Sequence, residues 1–290
     1  MSKAVLTEYT VSSERVRSPL TIALVADLHE RRALDILNLL KEAKPDMIAF
    51  AGDTFERYDK NVYVPRVVKR RNIFQRAFLN AVCYVNFALM QVFGIKSRPN
   101  PQNSYSFLRQ ASNIAPVFLS MGNHEQQFLP EDFAFFKRYN IHLLDNEDME
   151  TAVKNNFMII GGLSSDPDEA WLYRFSKKDG LRVLLSHHPE YYDDMISQTD
   201  IDLILSGHNH GGQIRIFGKG ITGSGGKIFP KYDKGLFDER MVVSAGCTNT
   251  AAVPRWGNPR ELVLIHLKKK KKKGLTFRQN CDRIILVAER

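Results

Sequence analysis

The chain reads IDLILSGHNHGG at residues 201–212, a short apolar run that stops at a glycine and two histidines. Four other runs stop in a similar way: TIALVA (21–26) before Asp27-Leu28-His29, MIAFA (47–51) before Gly52-Asp53, PVFLSM (116–121) before Gly122-Asn123-His124-Glu125, and LRVLL (181–185) before Ser186-His187-His188-Pro189. Short apolar runs without alternation are typical of strands buried on both faces. Because amphipathic, helix-length stretches at 33–43 and 131–139 separate some of them, we predict an α/β domain with its site at the carboxyl ends of the strands.

The second half of the chain is richer in strands than the first. Residues 157–163, 213–217, 241–245 and 261–267 have the composition of further strands. Several of them follow one another with no helix between, so we predict a mixed or double sheet rather than a simple doubly wound one.

Composition places the chain among globular proteins. With 43% apolar and 25% charged residues, a disordered or fibrous chain is excluded. The three cysteines lie far apart without a Cys-x-x-Cys pair, and no secretory signal is visible in the first twenty residues, so we predict a cytoplasmic protein. The net charge of +9 favours an anionic partner, which could be phosphate, nucleic acid or a lipid surface.

Metal-ligating residue types are concentrated in the loops that follow the strands. They are His29, His124, His187, His208 and His210, beside Asp27, Asp53 and Asn123. Imidazole, carboxylate and amide oxygen together suit divalent manganese, iron or zinc. Two ions about 3.5–4 Å apart share a bridging carboxylate and clamp the oxygens of a phosphoryl displacement. The sequence therefore predicts a binuclear metal site.

Five blocks follow one another along the chain: Asp27-x-His29, Gly52-Asp53, Gly122-Asn123-His124-Glu125, His187 and Gly207-His208-x-His210. In this order they resemble the calcineurin-like metallophosphoesterases, and the closer similarity is to small bacterial phosphodiesterases of that superfamily. Residues 186–189, 207–213 and 229–235 match further blocks of the bacterial pattern. Asn209 departs from it, since the family usually has Thr or Ser there.

The resemblance implies both a fold and a set of roles. The fold is a two-layer mixed β-sandwich flanked by helices. One metal ion is expected on Asp27, His29, Asp53 and His210, and the second on Asp53, Asn123, His187 and His208, with Asp53 bridging. His124 is expected to face the substrate and to stabilise or protonate the leaving oxygen, so His124 and Asp53 are the expected catalytic residues.

The implied reaction is hydrolysis of a phosphodiester or pyrophosphate bond in a phosphate-ester small molecule. The hypothesis for its mechanism is in-line attack on phosphorus by a hydroxide that bridges the two ions, because bound ions lower the pKa of water. Two divalent ions supply four positive charges, and two aspartates with the hydroxide return three negative ones. About one positive charge is left to attract phosphate.

Residues 61–103 form an insertion between the second and third motif strands. It starts with basic residues and runs from Ala77 to Ile95 without a charge. Arg76, Asn80 and Gln91 share one side of a helical wheel, which predicts an amphipathic helix rather than a membrane span. Such a cap either packs on the sandwich or rests its basic flank on anionic lipid. The second alternative would suit a lipid-linked substrate and a peripheral position on the inner membrane face.

The tail contains six consecutive lysines, Lys268 to Lys273, which are expected to be solvated, and a predicted strand at 283–288. We therefore predict a metallophosphoesterase domain over residues 1–267, with 61–103 as its cap, and a lysine-rich extension over 268–290.

Two other functions remain as alternatives. A nuclease would use the positive charge to bind a polyanion, but the basic residues cluster in the insertion rather than among base-stacking aromatics. An inactive metal-binding scaffold would be expected to have lost ligands, and all seven are present. The sequence leaves the oligomeric state open.

Four residues near the motifs are expected to be structural. His188 is a neighbour of the expected ligand His187, while His142 and His266 lie in apolar, strand-like runs. Cys247 has no base beside it in the sequence, which favours a small buried residue over a nucleophile.

Overall fold

The computed structural model describes residues 4–57, 99–251 and 255–270. The predicted amphipathic helix within 77–95, most of the insertion, the lysines at 271–273 and the predicted strand at 283–288 lie outside the described residues.

Strands dominate the described part of the chain. They are β1 (Val5–Ser13), β2 (Leu20–Val25), β3 (Met47–Ala51), β4 (Val117–Ser120), β5 (Ile141–Leu144), β6 (Glu147–Val153), β7 (Asn156–Leu163), β8 (Leu181–Ser186), β9 (Leu203–Ser206), β10 (Arg215–Ile216), β11 (Lys219–Gly220), β12 (Gly235–Phe237), β13 (Met241–Val243) and β14 (Glu261–Lys269). The α-helices are α1 (Leu34–Ala43), α2 (Pro101–Ser112), α3 (Pro130–Arg138) and α4 (Glu169–Ser176).

Two six-stranded mixed sheets form the domain. The first has the order β1-β14-β2-β3-β4-β5, in which β2 to β5 run parallel and β14 is antiparallel to β2. The second has the order β12-β13-β9-β8-β7-β6, parallel in its middle and antiparallel at both edges. Strands β10 and β11 form a separate hairpin.

The alternation of side chains along the central strands explains the layers. Ile22 and Leu24 of β2 pack against the second sheet, in a cluster that includes Val183 and Leu205. Their neighbours Ala23 and Val25 pack on the opposite face, against α1, α2 and α3. On the outer face of the second sheet, α4 covers a third cluster, which includes Ile204. Because both faces of these central strands are covered, their sequences are continuous apolar runs. The predicted two-layer sandwich flanked by helices is confirmed.

The edges of two predicted segments lie elsewhere than expected. Pro101–Asn103, the last residues of the predicted insertion, form the first turn of α2, whose Phe107 and Leu108 are buried in the core. At the other end, β14 continues through Lys268 and Lys269 because both pair with β1. The first two lysines of the run are therefore part of the first sheet.

The loops that carry the predicted ligands all emerge at one edge of the sandwich. Asp27, Asp53 and Asn123 follow β2, β3 and β4, while His187 and His208 follow β8 and β9. Since these strands are parallel within each sheet, their carboxyl ends lie together.

Candidate metal centre

Tight turns bring the ligand loops together. Gly52 has φ +77°, and a Cβ there would lie 2.7 Å from both the Gly122 Cα and the His187 ring. Several of the predicted ligands are themselves in the left-handed region, namely Asp27, His29, Asp53, His208 and His210. Non-glycine residues adopt this conformation at a cost, and such residues concentrate at functional sites.

The first group of ligand atoms gathers around Asp27. Its Oδ1 atom lies 3.8 Å from His29 Nε2 and 3.6 Å from His210 Nε2. Asp53 also approaches His29, with Oδ2 3.6 Å from the same Nε2. The separations suit three ligands around one ion, and Asp27, His29 and His210 form one such group.

The second group shares Asp53 with the first. Asp53 Oδ2 lies 3.1 Å from His187 Nε2, and His187 Nε2 lies 3.3 Å from His208 Nδ1. His187 donates from Nδ1 to the Ala51 carbonyl at 2.8 Å, which leaves Nε2 directed at Asp53. Asp53, His187 and His208 could hold one ion, and Asp53 is also grouped with His29 and His124.

The hydrogen bonding of the site suits bound cations. Among residues 4–57, 99–251 and 255–270, no hydrogen-bond partner is found for four buried side-chain atoms of the site: Asp27 Oδ2, His29 Nε2, Asn123 Oδ1 and His210 Nδ1. Buried polar groups are normally paired, and unpaired ones indicate an ion or water that satisfies them. The donors are nitrogen and oxygen without thiolate, a set that manganese, iron and zinc accept.

The electrostatics of the metal-free site follow from its two buried aspartates. Burial acts to lower the pKa of His29, but the neighbouring carboxylates of Asp27, Glu56 and Asp53 outweigh it and raise the pKa to about 10. For His187, burial is outweighed by Asp53, and the pKa rises to about 9. His210 follows the opposite direction, because its burial lowers the pKa to about 4. His29 and His187 thus carry the positive charge that balances the two aspartates.

Two glutamates that the sequence analysis did not assign support these ligands. Glu56 accepts hydrogen bonds from His29 Nδ1 at 2.9 Å and from His124 Nδ1 at 2.8 Å. Glu125 is 1% exposed and accepts from four backbone N–H groups, those of Asp53, Thr54, Phe55 and Gly122, at 2.7–2.9 Å. The signal in the sequence was the acidic residue in each of the segments GDTFE and GNHE.

His124 occupies a more open position than the other histidines of the site. Its ring is one-third exposed, and Nε2 lies 3.9 Å from Asp53 Oδ2. Its backbone N–H donates to Asp53 Oδ1 at 2.9 Å. The ring therefore borders the ligand cluster and solvent at once.

The residues predicted to be structural have ordinary surroundings, apart from one. His142 stacks on Phe118, and His266 pairs with Glu8. Cys247 is fully buried. The exception is His188. It contacts Ser165 Oγ at 3.1 Å, and it also belongs to a group with Glu190 and His208 that could hold a metal ion.

Comparisons with known proteins point to one family. The sequence model of a family described as calcineurin-like phosphoesterase matches residues 20–212. The Bacillus subtilis (strain 168) protein YpbG is 24% identical over 217 residues, covering 73% of this chain and 68% of that protein. An uncharacterized metallophosphoesterase of Aquifex aeolicus (strain VF5) is 23% identical over 288 residues, covering 91% of each.

A solved structure gives a more distant comparison. The crystal structure of TT1561 of Thermus thermophilus superposes with a TM-score of 0.40 and 13% identity, covering 66% of this chain and 82% of that one.

Proposed function

Because the chain belongs to the calcineurin-like phosphoesterase family, we propose that it hydrolyses a phosphodiester or pyrophosphate bond with two divalent metal ions. A phosphoesterase is a hydrolase, and the described residues include several groups able to hold a metal. The observation that carries the proposal is the position of Asp53, which belongs at once to a group with His29 and to a group with His187 and His208. A carboxylate in that position can bridge two ions.

The two ions would share Asp53 and would otherwise have separate ligands. Asp27, His29, Asp53 and His210 would hold the first, and Asp53, Asn123, His187 and His208 the second. When bound, the ions supply Lewis acidity and lower the pKa of water so that hydroxide is available near neutral pH. Manganese, iron and zinc all suit these donors.

His124 would act on the leaving group. Its Nδ1 is held by Glu56, and its Nε2 lies 3.9 Å from Asp53 Oδ2, at the border of the ligand cluster. Burial acts to lower the pKa of His124, but the carboxylates of Asp53 and Glu56 outweigh it and raise the pKa. A protonated imidazole with one-third of its ring exposed can bind a phosphoryl oxygen and give a proton to the departing oxygen.

A lipid-linked substrate is the finer form of the proposal. The net charge of +9 suits an anionic substrate, and an amphipathic insertion would suit acyl chains. Contact of residues 61–103 with an anionic membrane, and a position at the cytoplasmic face of the inner membrane, remain predictions. In the described part of the chain no helix is long and apolar enough to cross a bilayer. Deletion of residues 61–98 would test the contact and spare α2.

The proposed reaction is tested by metal analysis followed by a hydrolysis panel. We expect about two divalent ions per chain and turnover of an aryl phosphodiester or a pyrophosphate-linked lipid faster than of an aryl monoester. Preferential, steeply salt-dependent cleavage of single-stranded DNA would instead favour a nuclease. Bound metal without turnover of any of these substrates would favour the scaffold.

A further inference from the structure

Several large apolar side chains are exposed on segments that backbone hydrogen bonds join, in a region that the proposed reaction does not use. We define the hairpin surface as Ile216, Phe217, Ile228, Phe229 and Trp256. Phe217 is fully exposed, at 102% of its reference area, while Phe229 and Trp256 are each about two-thirds exposed, at 66% and 67%. Exposed apolar side chains are common when isolated, but a group of this kind marks an interaction site.

Backbone hydrogen bonds join the segments that carry the hairpin surface. Arg215 N–H donates to the Trp256 carbonyl at 2.9 Å, and Phe229 N–H donates to the Ile221 carbonyl at 2.9 Å. Ile214 forms a bridge with Trp256, and Thr222 forms one with Ile228. The exposed side chains therefore belong to one structural unit built on the hairpin β10–β11.

Alternation along β10 explains why the apolar side chains face outward. The Arg215 guanidinium turns toward the domain, where it binds Asp233 and the Gly211 carbonyl, each at 2.9 Å. In a strand, successive side chains point to opposite faces. Ile214 and Ile216 thus lie on the other face, and Trp256, opposite Ile214, shares it.

Two of the exposed aromatics sit in backbone conformations that bulky residues rarely adopt. Phe217 has φ +49° and Phe229 has φ +51°. A phenylalanine in the left-handed region is unfavourable, and its exposure adds no packing in return. Folding alone does not explain phenylalanine at these positions.

The charged residues within the segment that carries most of the hairpin surface are all positive. Residues 213–229 include Arg215, Lys219 and Lys227 and contain no aspartate or glutamate. Lys227 pairs with Glu190 on a neighbouring loop. Lys219 is exposed, stands two residues after Phe217 and has no ion-pair partner among the described residues.

We propose that the hairpin surface docks onto an anionic phospholipid bilayer, with Phe217 and Trp256 inserted among the head groups and acyl chains. Aromatic residues with an adjacent lysine suit the boundary between lipid and water. The β10–β11 hairpin has two paired residues in each strand, whereas a stable protein partner would cover roughly 800 Å² of each surface. This membrane contact is distinct from the one predicted for residues 61–103.

Docking in this way would also orient the metal centre. The hairpin follows His208 and His210 directly in the chain, and the bridge to Trp256 fixes its base beside that loop. The loop that carries His208 and His210 would then be held close to the membrane surface. A phosphate ester in a lipid head group could reach it without leaving the bilayer.

The test is partitioning of the full chain onto vesicles of phosphatidylglycerol and phosphatidylcholine, measured by sedimentation without substrate. Burial of one aromatic side chain is worth about tenfold in binding, so Phe217→Ser combined with Trp256→Ser is expected to weaken partitioning by tenfold or more. Lys219→Glu is expected to weaken it on anionic vesicles. Tyr173→Ser, at an exposed aromatic position on α4, is the matched control and should bind as the parent does.

Tryptophan fluorescence provides a second readout, since Trp171 is 6% exposed and Trp256 is the accessible one of the two. We expect the emission of Trp256 to shift to the blue on vesicles and to be quenched by lipids brominated in the acyl chain. Unchanged emission, or equal partitioning of the parent and the double variant, would refute the inference. A lipid-independent dimer that Phe217→Ser dissociates would refute it too, in favour of a second copy of this chain. Hydrolysis of a soluble aryl phosphodiester, measured separately without lipid, reports on the proposed reaction alone.

Discussion

Glu56 Oε2 lies 2.8 Å from Nδ1 of His124, and because a carboxylate only accepts hydrogen bonds, the imidazole donates here. The other oxygen of the same carboxylate accepts from His29 Nδ1 at 2.9 Å. One side chain thus sets the tautomer of a proposed metal ligand and of the proposed proton donor. The His29 and His124 rings meet edge to face, with centroids 4.6 Å apart.

Glu56→Gln should weaken metal binding through His29 and slow turnover through His124. A glutamine presents one amide oxygen and one N–H₂ group, so it can accept from only one of the two imidazoles and opposes the other with a donor. Loss of a hydrogen bond that orients a metal-ligating histidine typically costs about 10–100-fold in metal affinity. We expect this loss in a metal titration, together with a lower kcat at saturating metal.

A double-mutant cycle separates these effects of Glu56. If it acts on turnover through His124, then Glu56→Gln should add little further loss of kcat in a His124→Ala background at saturating metal. Independent, multiplicative losses would show that Glu56 does not position His124. The exposed Glu131 on α3, changed to Gln, is a matched control.

His124→Ala should leave the metal content intact and slow the chemical step. His124 stands outside both proposed ligand sets, and loss of a general acid typically costs about 10²–10⁴-fold in rate. The loss should be smaller for a substrate whose leaving group is a weak base and needs no proton. Aryl phosphodiesters of graded leaving-group pKa provide the measurement, and a parental rate on all of them would contradict the assigned role.

Asp53→Asn should abolish metal binding and turnover together. The variant keeps the shape of the side chain and tolerates the left-handed backbone at φ +53°, but it removes the charge that would bridge two ions. Metal analysis of the purified variant is expected to find no ion at the centre. Asp145→Asn, at an exposed position, should retain both metal and activity. An Asp53→Asn protein that still holds two ions would remove the basis of the proposed site.

The main strands could be predicted because their chemistry is simple. Strands such as β3 and β8 are covered on both faces, so apolar residues fill every position of β3 and most of β8, and the run stops where the chain leaves the core. β1 escaped prediction because it lies at the edge of its sheet and alternates exposed and partly buried residues, with Glu8 among them. α2 escaped it because its start, Pro101, fell within the predicted insertion.

The supporting residues of the site could not be predicted in the same way. Metal ligands can be predicted from their residue type and their position directly after a strand, and these two features were sufficient to predict Asp27 and His187. The role of Glu125 depends on contacts with backbone N–H groups about 70 residues away, whose positions no local pattern reveals. Glu56 is likewise defined by two histidines on separate loops.

Metal affinity should rise with pH. In the metal-free protein the pKa values of His29 and His187 are raised to about 10 and about 9, so both rings carry a proton at neutral pH that a metal ion must displace. Raising the pH removes this competition between protons and metal ions, and lowering the pH strengthens the competition. Calorimetric titration of the apoprotein with Mn²⁺ in buffers of different ionisation enthalpy should detect proton release. Affinity that is independent of pH would contradict the assignment of these rings as ligands.

Glu125→Ala should destabilise the fold as well as the site. Its carboxylate is the acceptor for four backbone N–H groups in the loops after β3 and β4, and each donor left buried and unpaired costs about 1–3 kcal/mol. We expect the free energy of unfolding, measured with urea, to fall by about 3 kcal/mol or more, since water entering the vacated space satisfies part of the donors. Glu125→Gln should be nearly as harmful because its amide nitrogen would face two of those donors. Asp53 and Asn123 lie on the loops that Glu125 joins, so both variants should lose metal at a concentration that saturates the parent. A stable Glu125→Ala protein with parental metal affinity would show that these loops hold their positions without it.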